Sequence, residues 1–352
     1  MVKKSENIIV GISIGDLNGI GSEIILKTFE DARMLEFCTP VIFAHTKVLS
    51  LINKVLETNI HFHGIDNLNQ VVFGKINVLN TWKENVIIDF GKENQQLAKY
   101  AVLSFKEATK ALKENKIDVL VTAPINKYTA ESEEFKFAGH TEYLNQELEG
   151  EALMLLTSED LRVGLITGHI PLKDVSSKLD ETLIRKRVEV LKNTLIQDFS
   201  INKPKIAILG LNPHCGDGGV IGNEDDKVLK PAIQKLFDEG HLVFGPFSAD
   251  GFFGNESYKK YDAVLATYHD QGLIPFKTIA FGQGVNYTAG LDRIRTSPDH
   301  GTAFDIAGKG KADFSSFREA VYLALDIYQA RHQYQQISQN PLKITEKQSE
   351  RR

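Results

Sequence analysis

The sequence predicts an α/β fold with a largely parallel sheet covered by helices on both faces. Two observations carry this expectation. Short apolar runs alternate with longer mixed runs along the chain, the pattern of strands joined by helical crossovers. The apolar runs are near-continuous rather than alternating, as in strands buried on both sides.

The elements follow in order. Ile8–Ile14 reads as a first strand, and IGDLNGIGSE then turns into a helix. That turn does not fit G-x-G-x-x-G and lacks the lysine of a P-loop. Its glycines either make a tight turn or leave room for an anion at the helix N-terminus. Further strands are expected at Val41–Ala44, Asp118–Thr122, Val163–Thr167, Lys205–Leu209 and Asp262–Thr267. Helices are expected at Glu93–Asn115, Asp180–Phe199, Asp225–Glu239 and Phe314–Tyr334. The pattern leaves strand order open and allows one antiparallel strand. There is no internal repeat or low-complexity block, and the polar segment 341–352 reads as a frayed tail.

Composition narrows the function classes. The 352 residues are 42% hydrophobic and 25% charged, with net charge −5, which is ordinary for a globular protein. No basic face points to a nucleic acid. Two cysteines, Cys38 and Cys215, are too few for a disulfide framework and suit a reducing compartment. Neither a signal peptide nor an apolar stretch long enough to span a membrane is visible. A cytoplasmic protein with a small-molecule substrate is the expectation.

Four apolar runs end in loops rich in histidine and charge: IDVLVTAPINK, VGLITGHIPLKD, KIAILGLNPHCGDGG and YDAVLATYHDQGLIPFK. Ligands of open α/β sheets bind beyond the carboxyl ends of strands, so these loops are expected to converge on one edge. His169, His214 and His269 each lie near such an end. Three imidazoles with an open fourth position would suit a catalytic zinc-type site. Three loop histidines making ordinary hydrogen bonds are the competing account. Asp174, Asp217 and Asp270 could orient the rings. His45, His61, His63, His241 and His332 read as surface or core residues.

His140, in FAGHTEYLNQEL, is either a substrate donor or base or a helix-entry residue; Thr141 begins an incomplete capping box. Lys277 could anchor phosphate or carry a proton. Arg293 and Arg295 offer guanidinium forks for phosphate or carboxylate, and Asn286 a neutral donor and acceptor. Each basic residue could instead be a solvated surface charge. HGTAFDIAGKG, at 300–310, would let backbone approach a ligand or form a bulged loop.

IGDLNGIGSE, VTAPINK, GHTEYL, TGHIPL, GLNPHCGDGG, YHDQGLIPFK and GVNYTAGLDRIRTSPDHGTAFDIAGKG run in order from residue 14 to 310. This series resembles the 4-hydroxythreonine-4-phosphate dehydrogenase family of pyridoxal phosphate biosynthesis. HGTAFDIAGKG is also similar to the cofactor loop of isocitrate and isopropylmalate dehydrogenases, which bind NAD(P) without the usual dinucleotide fingerprint. The resemblance implies two α/β/α domains, one from 1–135 plus 285–340 on the cofactor side and one from 136–284 for metal, substrate and dimerisation. It implies His169, His214 and His269 as ligands of a divalent ion such as zinc, magnesium or cobalt. It implies substrate contacts from His140, Thr141, Lys277, Asn286 and Arg295, with Lys277 or His140 as base. His300, Gly301, Thr302, Ala303 and Asp305 would contact NAD or NADP. A homodimer would share the site, His269 reaching a metal held by the partner chain. The implied reaction oxidises 4-phosphooxy-L-threonine to a 3-oxo acid, which loses carbon dioxide to give 3-amino-2-oxopropyl phosphate.

Leu17, Asn18 and Ser22 depart from the family pattern, as does Asp292, which would place a negative charge near the expected phosphate site. Related phosphorylated four-carbon acids, 4-phosphoerythronate or phosphothreonate, therefore stay open as substrates. A metal-dependent hydrolase and a non-catalytic binding protein on the same scaffold are the readings from other classes.

Overall fold

A computed structural model describes residues 7–130 and 139–340. The expected tail, 341–352, and the expected domain boundary at 135/136 lie outside the described residues. Twelve strands form one sheet: β1 (Ile8–Ser13), β2 (Cys38–Ala44), β3 (Phe62–Ile65), β4 (Ile76–Asn80), β5 (Val119–Thr122), β6 (Gly150–Thr157), β7 (Arg162–Leu165), β8 (Ile206–Leu209), β9 (Val243–Phe247), β10 (Ala263–Ala266), β11 (Val285–Leu291) and β12 (Arg295–Pro298). Their spatial order is β3-β4-β2-β1-β5-β12-β11-β6-β7-β10-β8-β9.

All six expected strands and all four expected helices are present. The helix Gln95–Lys113 starts where the Asn94 side chain accepts from Gln96 N, and Glu181–Gln197 where Asp180 accepts from Leu183 N; each cap satisfies a backbone donor that the first turn leaves open.

The sheet is more mixed than expected. From β3 to β12 every pairing is parallel, and so is every pairing from β7 to β9. Between these blocks β12–β11, β11–β6 and β6–β7 are antiparallel. Three successive reversals make the two blocks run in opposite directions. This corrects the expectation of a single shared edge: the carboxyl ends of β5 and of β7, β8 and β10 face opposite ways. The strands from 1–135 and 285–340 fill one half of the sheet and those from 136–284 the other, joined by β11 and β6.

The pleat sends alternate residues to opposite faces, and the two faces differ. On one face a single apolar core crosses both halves. It takes Val119 and Val121 of β5, Leu153 and Leu155 of β6, Val285, Tyr287 and Ala289 of β11, and Phe317, Val321, Leu191 and Val188 of the covering helices. On the other face the core is split. One part gathers Phe43, Leu120, Phe105 and Leu144; another gathers Leu156, Val163, Leu165, Leu273 and Phe276. Between them the residues of β11 and β12 on this face are Asn286, Thr288, Arg295 and Ser297, which would not pack into an apolar core.

The continuous face is clamped at the junction. Buried Tyr287 donates to Asp198 Oδ2 at 2.5 Å, and Arg331 Nε donates to Asp198 Oδ1 at 2.5 Å. Arg331 Nη2 also donates to the tyrosine oxygen at 2.9 Å. Burial pushes the Tyr287 hydroxyl well above its usual range, with the Asp198 charge adding to it. Replacing Arg331 with methionine would leave the Asp198 carboxylate buried without a cation. Breaking such a pair costs about 3–5 kcal/mol, so Arg331→Met is expected to lower the urea midpoint accordingly. An unchanged midpoint would remove the clamp from the account of stability.

Candidate functional site

The polar strip between the two split cores floors a cavity of about 460 Å³. Three of the four strand-end loops reach it: Thr122–Ile125 after β5, His169 after β7, and the helix His269–Ile279 after β10. The loop after β8, carrying His214, does not line it. Gly139–Glu142 at the start of the helix His140–Glu147, together with Asp299, His300 and Gly301, complete the wall.

Arg295 is 2% exposed. Its Nε and Nη2 donate to Thr122 Oγ1 at 3.1 and 2.5 Å, and Nη1 donates to Thr288 Oγ1 at 3.1 Å. Register explains the cluster: Tyr287 pairs with Thr296, which sets Thr288 beside Arg295 on the same face. Among the described residues the guanidinium has no ion-pair partner, only neutral hydroxyls. Burial pulls its pKa down to about 9, while the Glu142 charge acts in the opposite sense. An arginine stays protonated in proteins, so the shift marks a buried positive charge short of a counter-charge. A bound anion would supply it.

Asn286, the cross-strand neighbour of Ser297 and Leu156, has a buried Oδ1 with no hydrogen-bond partner among the described residues. A buried acceptor left unmade costs about 1–3 kcal/mol, so this atom is disposed to meet a ligand donor. Lys277 Nζ donates to the Asp299 carbonyl at 2.7 Å. Burial raises the pKa of the Asp299 carboxyl, and the Lys277 charge opposes that shift. His140 sets its ring edge-on to Phe105, centroids 4.5 Å apart, and Thr141 lines the cavity beside it.

Of the three histidines expected around a metal, His169 and His269 come together, with ring centroids 5.2 Å apart. His269 Nδ1 lies 2.7 Å from Asp270 Oδ1, and His169 Nδ1 lies 3.3 Å from Glu142 Oε1. Asp270 is thus one of the three acids expected to orient a ring. Asp174 and Asp217 pair with no histidine among the described residues. His214 sits in a left-handed run, His214–Gly218. Buried Asp225 supports that loop by accepting from Leu211 N, Asn212 N and Asn212 Nδ2 at 2.8, 3.0 and 2.9 Å. Among the described residues no group of three histidine, cysteine or acidic side chains is placed to hold a metal ion. One chain therefore brings two of the expected donors together and leaves the third apart.

Arg293 and Asp292 depart from expectation. Arg293 donates to the Leu112 and Lys113 carbonyls and pairs with Asp292, whose carboxylate accepts from Glu149 N. Neither lines the cavity, so the charge of Asp292 does not bear on it directly. In the expected cofactor stretch, His300 and Gly301 line the cavity. Thr302 O accepts from Ile20 N at 3.0 Å, Ala303 takes φ 42°, and the Asp305 carbonyl accepts from Lys309 Nζ. This stretch packs on the turn after β1, where a Cβ on Gly19 would come within 2.9 Å of Thr302 O.

Thr122, Thr288, Glu142 and Asp299 are site residues that the pattern reading did not single out. The polar alternation N-x-T within VNYTAGL is the signal for Thr288: period two means a strand with one polar face.

A family model described as pyridoxal phosphate biosynthetic protein PdxA matches residues 36–324. The chain is similar to 4-hydroxythreonine-4-phosphate dehydrogenase of Bacteroides thetaiotaomicron, 44% identical over 336 residues, covering 95% of this chain and 92% of the relative. It is similar to the enzyme of the same name from a Sulfurihydrogenibium species, 41% identical over 326 residues, covering 92% and 99%. The crystal structure of 4-hydroxythreonine-4-phosphate dehydrogenase from Klebsiella pneumoniae superposes with TM-score 0.78 at 33% identity, over 93% of this chain and 99% of that one.

If Arg295 awaits an anion, inorganic phosphate should stabilise the protein against heat. At a hundredfold excess over its dissociation constant the gain is about 2.7 kcal/mol. Arg295→Met should fold and lose the phosphate-dependent rise in Tm. A wild-type Tm indifferent to phosphate would remove the anion role.

Proposed function

This chain belongs to the PdxA family of pyridoxal phosphate biosynthetic proteins, and we propose that it oxidises 4-phosphooxy-L-threonine with NAD or NADP. The observation that carries the proposal is the buried Arg295 guanidinium, held among the described residues by threonine hydroxyls alone. It suits an anionic end of the substrate, and Asn286 Oδ1 suits a donor on the same molecule. Arg295 and Asn286 fix the substrate, with His140 and Thr141 at the opposite wall. Lys277, tethered to the Asp299 carbonyl, or His140 takes the proton from the secondary hydroxyl as hydride leaves its carbon. A bound NAD or NADP would supply the hydride acceptor; His300, Gly301, Thr302, Ala303 and Asp305 are the residues proposed to hold it. The product is a β-keto acid, 2-amino-3-oxo-4-phosphooxybutanoate. It releases carbon dioxide because the ketone accepts the electrons of the breaking bond, giving 3-amino-2-oxopropyl phosphate.

A divalent ion, with zinc, magnesium and cobalt the candidates, would polarise the substrate hydroxyl, with His169, His214 and His269 as its protein donors. His169 and His269 fit this role through their carboxylate-held Nδ1 atoms. One chain sets His169 beside His269 and leaves His214 apart, not the expected pairing of His169 with His214, so the metal proposal includes a homodimer in which the partner chain would supply the missing donor. Ile170, Leu172, Ile221 and Ile274 favour it: they are exposed beside the histidine loops, Leu172 by 71% and Ile274 by 63%, and apolar surface of that kind marks contact sites. Two domains, 1–135 plus 285–340 and 136–284, are part of the same proposal. A reducing cytoplasm fits the two free thiols, Cys38 and Cys215.

Two measurements test this. Reduction of NAD and NADP is followed with 4-phosphooxy-L-threonine, 4-phosphoerythronate and phosphothreonate, with and without added metal. Turnover is expected with the amino acid above the other two, and a preference for either hydroxy acid would reassign the substrate. His214→Ala is expected to lose both retained metal and turnover; full activity in metal-free variant protein would sink the metal assignment.

A further inference from the structure

We propose that Glu142 is a positioning residue that holds the His169 ring in its Nδ1-protonated form and so turns the Nε2 lone pair away from the carboxylate as a donor to the cavity ligand. His169 Nδ1 lies 3.3 Å from Glu142 Oε1. An ionised carboxylate only accepts hydrogen bonds, so the ring nitrogen facing it carries the hydrogen, and the other nitrogen of the neutral ring keeps a lone pair. His269 has the same arrangement with Asp270 at 2.7 Å. Two neighbouring imidazoles are thus each held from behind by a carboxylate. That is the outer-shell pattern which orients histidine ligands and raises their basicity.

The two carboxylates are supplied differently. Asp270 follows His269 directly in the chain, on the first turn of the same helix. Glu142 reaches His169 across the cavity from the first turn of another helix, His140–Glu147, 27 residues earlier. That helix is anchored: Leu144 is fully buried in the core that holds Phe105, against which the His140 ring stands. The position of Glu142 is therefore set by the packing of that helix on β6 and on the helix Gln95–Lys113, not by the loop that carries His169. Asp174, the acid nearest in sequence to His169, is turned into its own short helical turn and pairs with no histidine among the described residues.

The metal part of this inference rests on the function proposed above; the tautomer part does not. With 15N-labelled histidine, and the His169 signals assigned through His169→Ala, long-range 1H–15N spectra report which ring nitrogen carries the hydrogen. The wild type should show His169 protonated on Nδ1. Glu142→Ala should shift it toward the Nε2-protonated form, and Glu142→Gln, whose amide oxygen still accepts, should restore the wild-type pattern. Calorimetric titration with Zn2+ or Co2+ should show affinity about 10–100-fold weaker in Glu142→Ala, with most of it recovered in Glu142→Gln. The phosphate-dependent rise in Tm serves as a control that each variant is folded. An Nε2-protonated His169 in the wild type, or a Glu142→Ala variant unchanged in both tautomer and metal affinity, would overturn the inference. Control of the tautomer by Glu142 in a wild-type protein that binds neither ion would uphold the positioning role and sink the metal reading instead.

Discussion

Two parallel blocks of opposite direction cannot hydrogen-bond to one another except through an antiparallel ladder. β12, β11 and β6 supply that ladder, and most of what is distinctive in this molecule depends on it. The ladder brings strand-end loops that face opposite ways to one place, because they meet across its face rather than along an edge. It also separates two environments by the pleat alone. Tyr287 points into a continuous apolar core, while its neighbours lie on the cavity face, Asn286 lining the cavity and buried Thr288 holding Arg295 beneath it. A register slip by one residue would exchange these sets and bury the polar one in the core.

The cavity face carries a buried charge with no ion-pair partner among the described residues. Among the described residues Arg295 makes three hydrogen bonds, all to threonine hydroxyls. On the opposite face the comparable buried charge, Asp198, has both a cation and a phenol. Where the charges pair, they fasten the two halves together; where the guanidinium meets only hydroxyls among the described residues, an anion would complete it. Glu142 and Asp270 give the histidines a related kind of preparation, fixing ring orientation ahead of any ligand.

Much of the frame was legible from residue order. The six strands read as buried apolar runs are all present, within three residues at either end. Of those that escaped notice in the centre, β11 and β12 escaped for a physical reason. Each has one face in a core and another toward the cavity, so GVNYTAGL and RTSP lack the continuous apolar character of a doubly buried strand. The same polarity that hid them as strands made their residues visible as a motif, and Asn286 and Arg295 were named from it. Thr122 and Thr288 were not, since a threonine in a strand ordinarily signals only β preference. Arg293 and Arg295 looked equivalent in sequence, yet they belong to different surroundings: Arg293 caps backbone carbonyls at the end of a helix.

The sequence by itself determined the α/β class, the strand-end placement of His169, His214 and His269, and the motif series that carries the family. Local chemistry suffices for these, because hydrophobic runs and turn residues act over a few positions. The tertiary structure alone decided that the two blocks oppose each other and that Arg295 is buried with no ion-pair partner among the described residues. It also decided that His169 and His269, but not His214, share a cavity in one chain, and that Glu142 rather than Asp174 faces His169. Each of these depends on pairings between residues tens to hundreds of positions apart, which the order of residues along a single chain does not display.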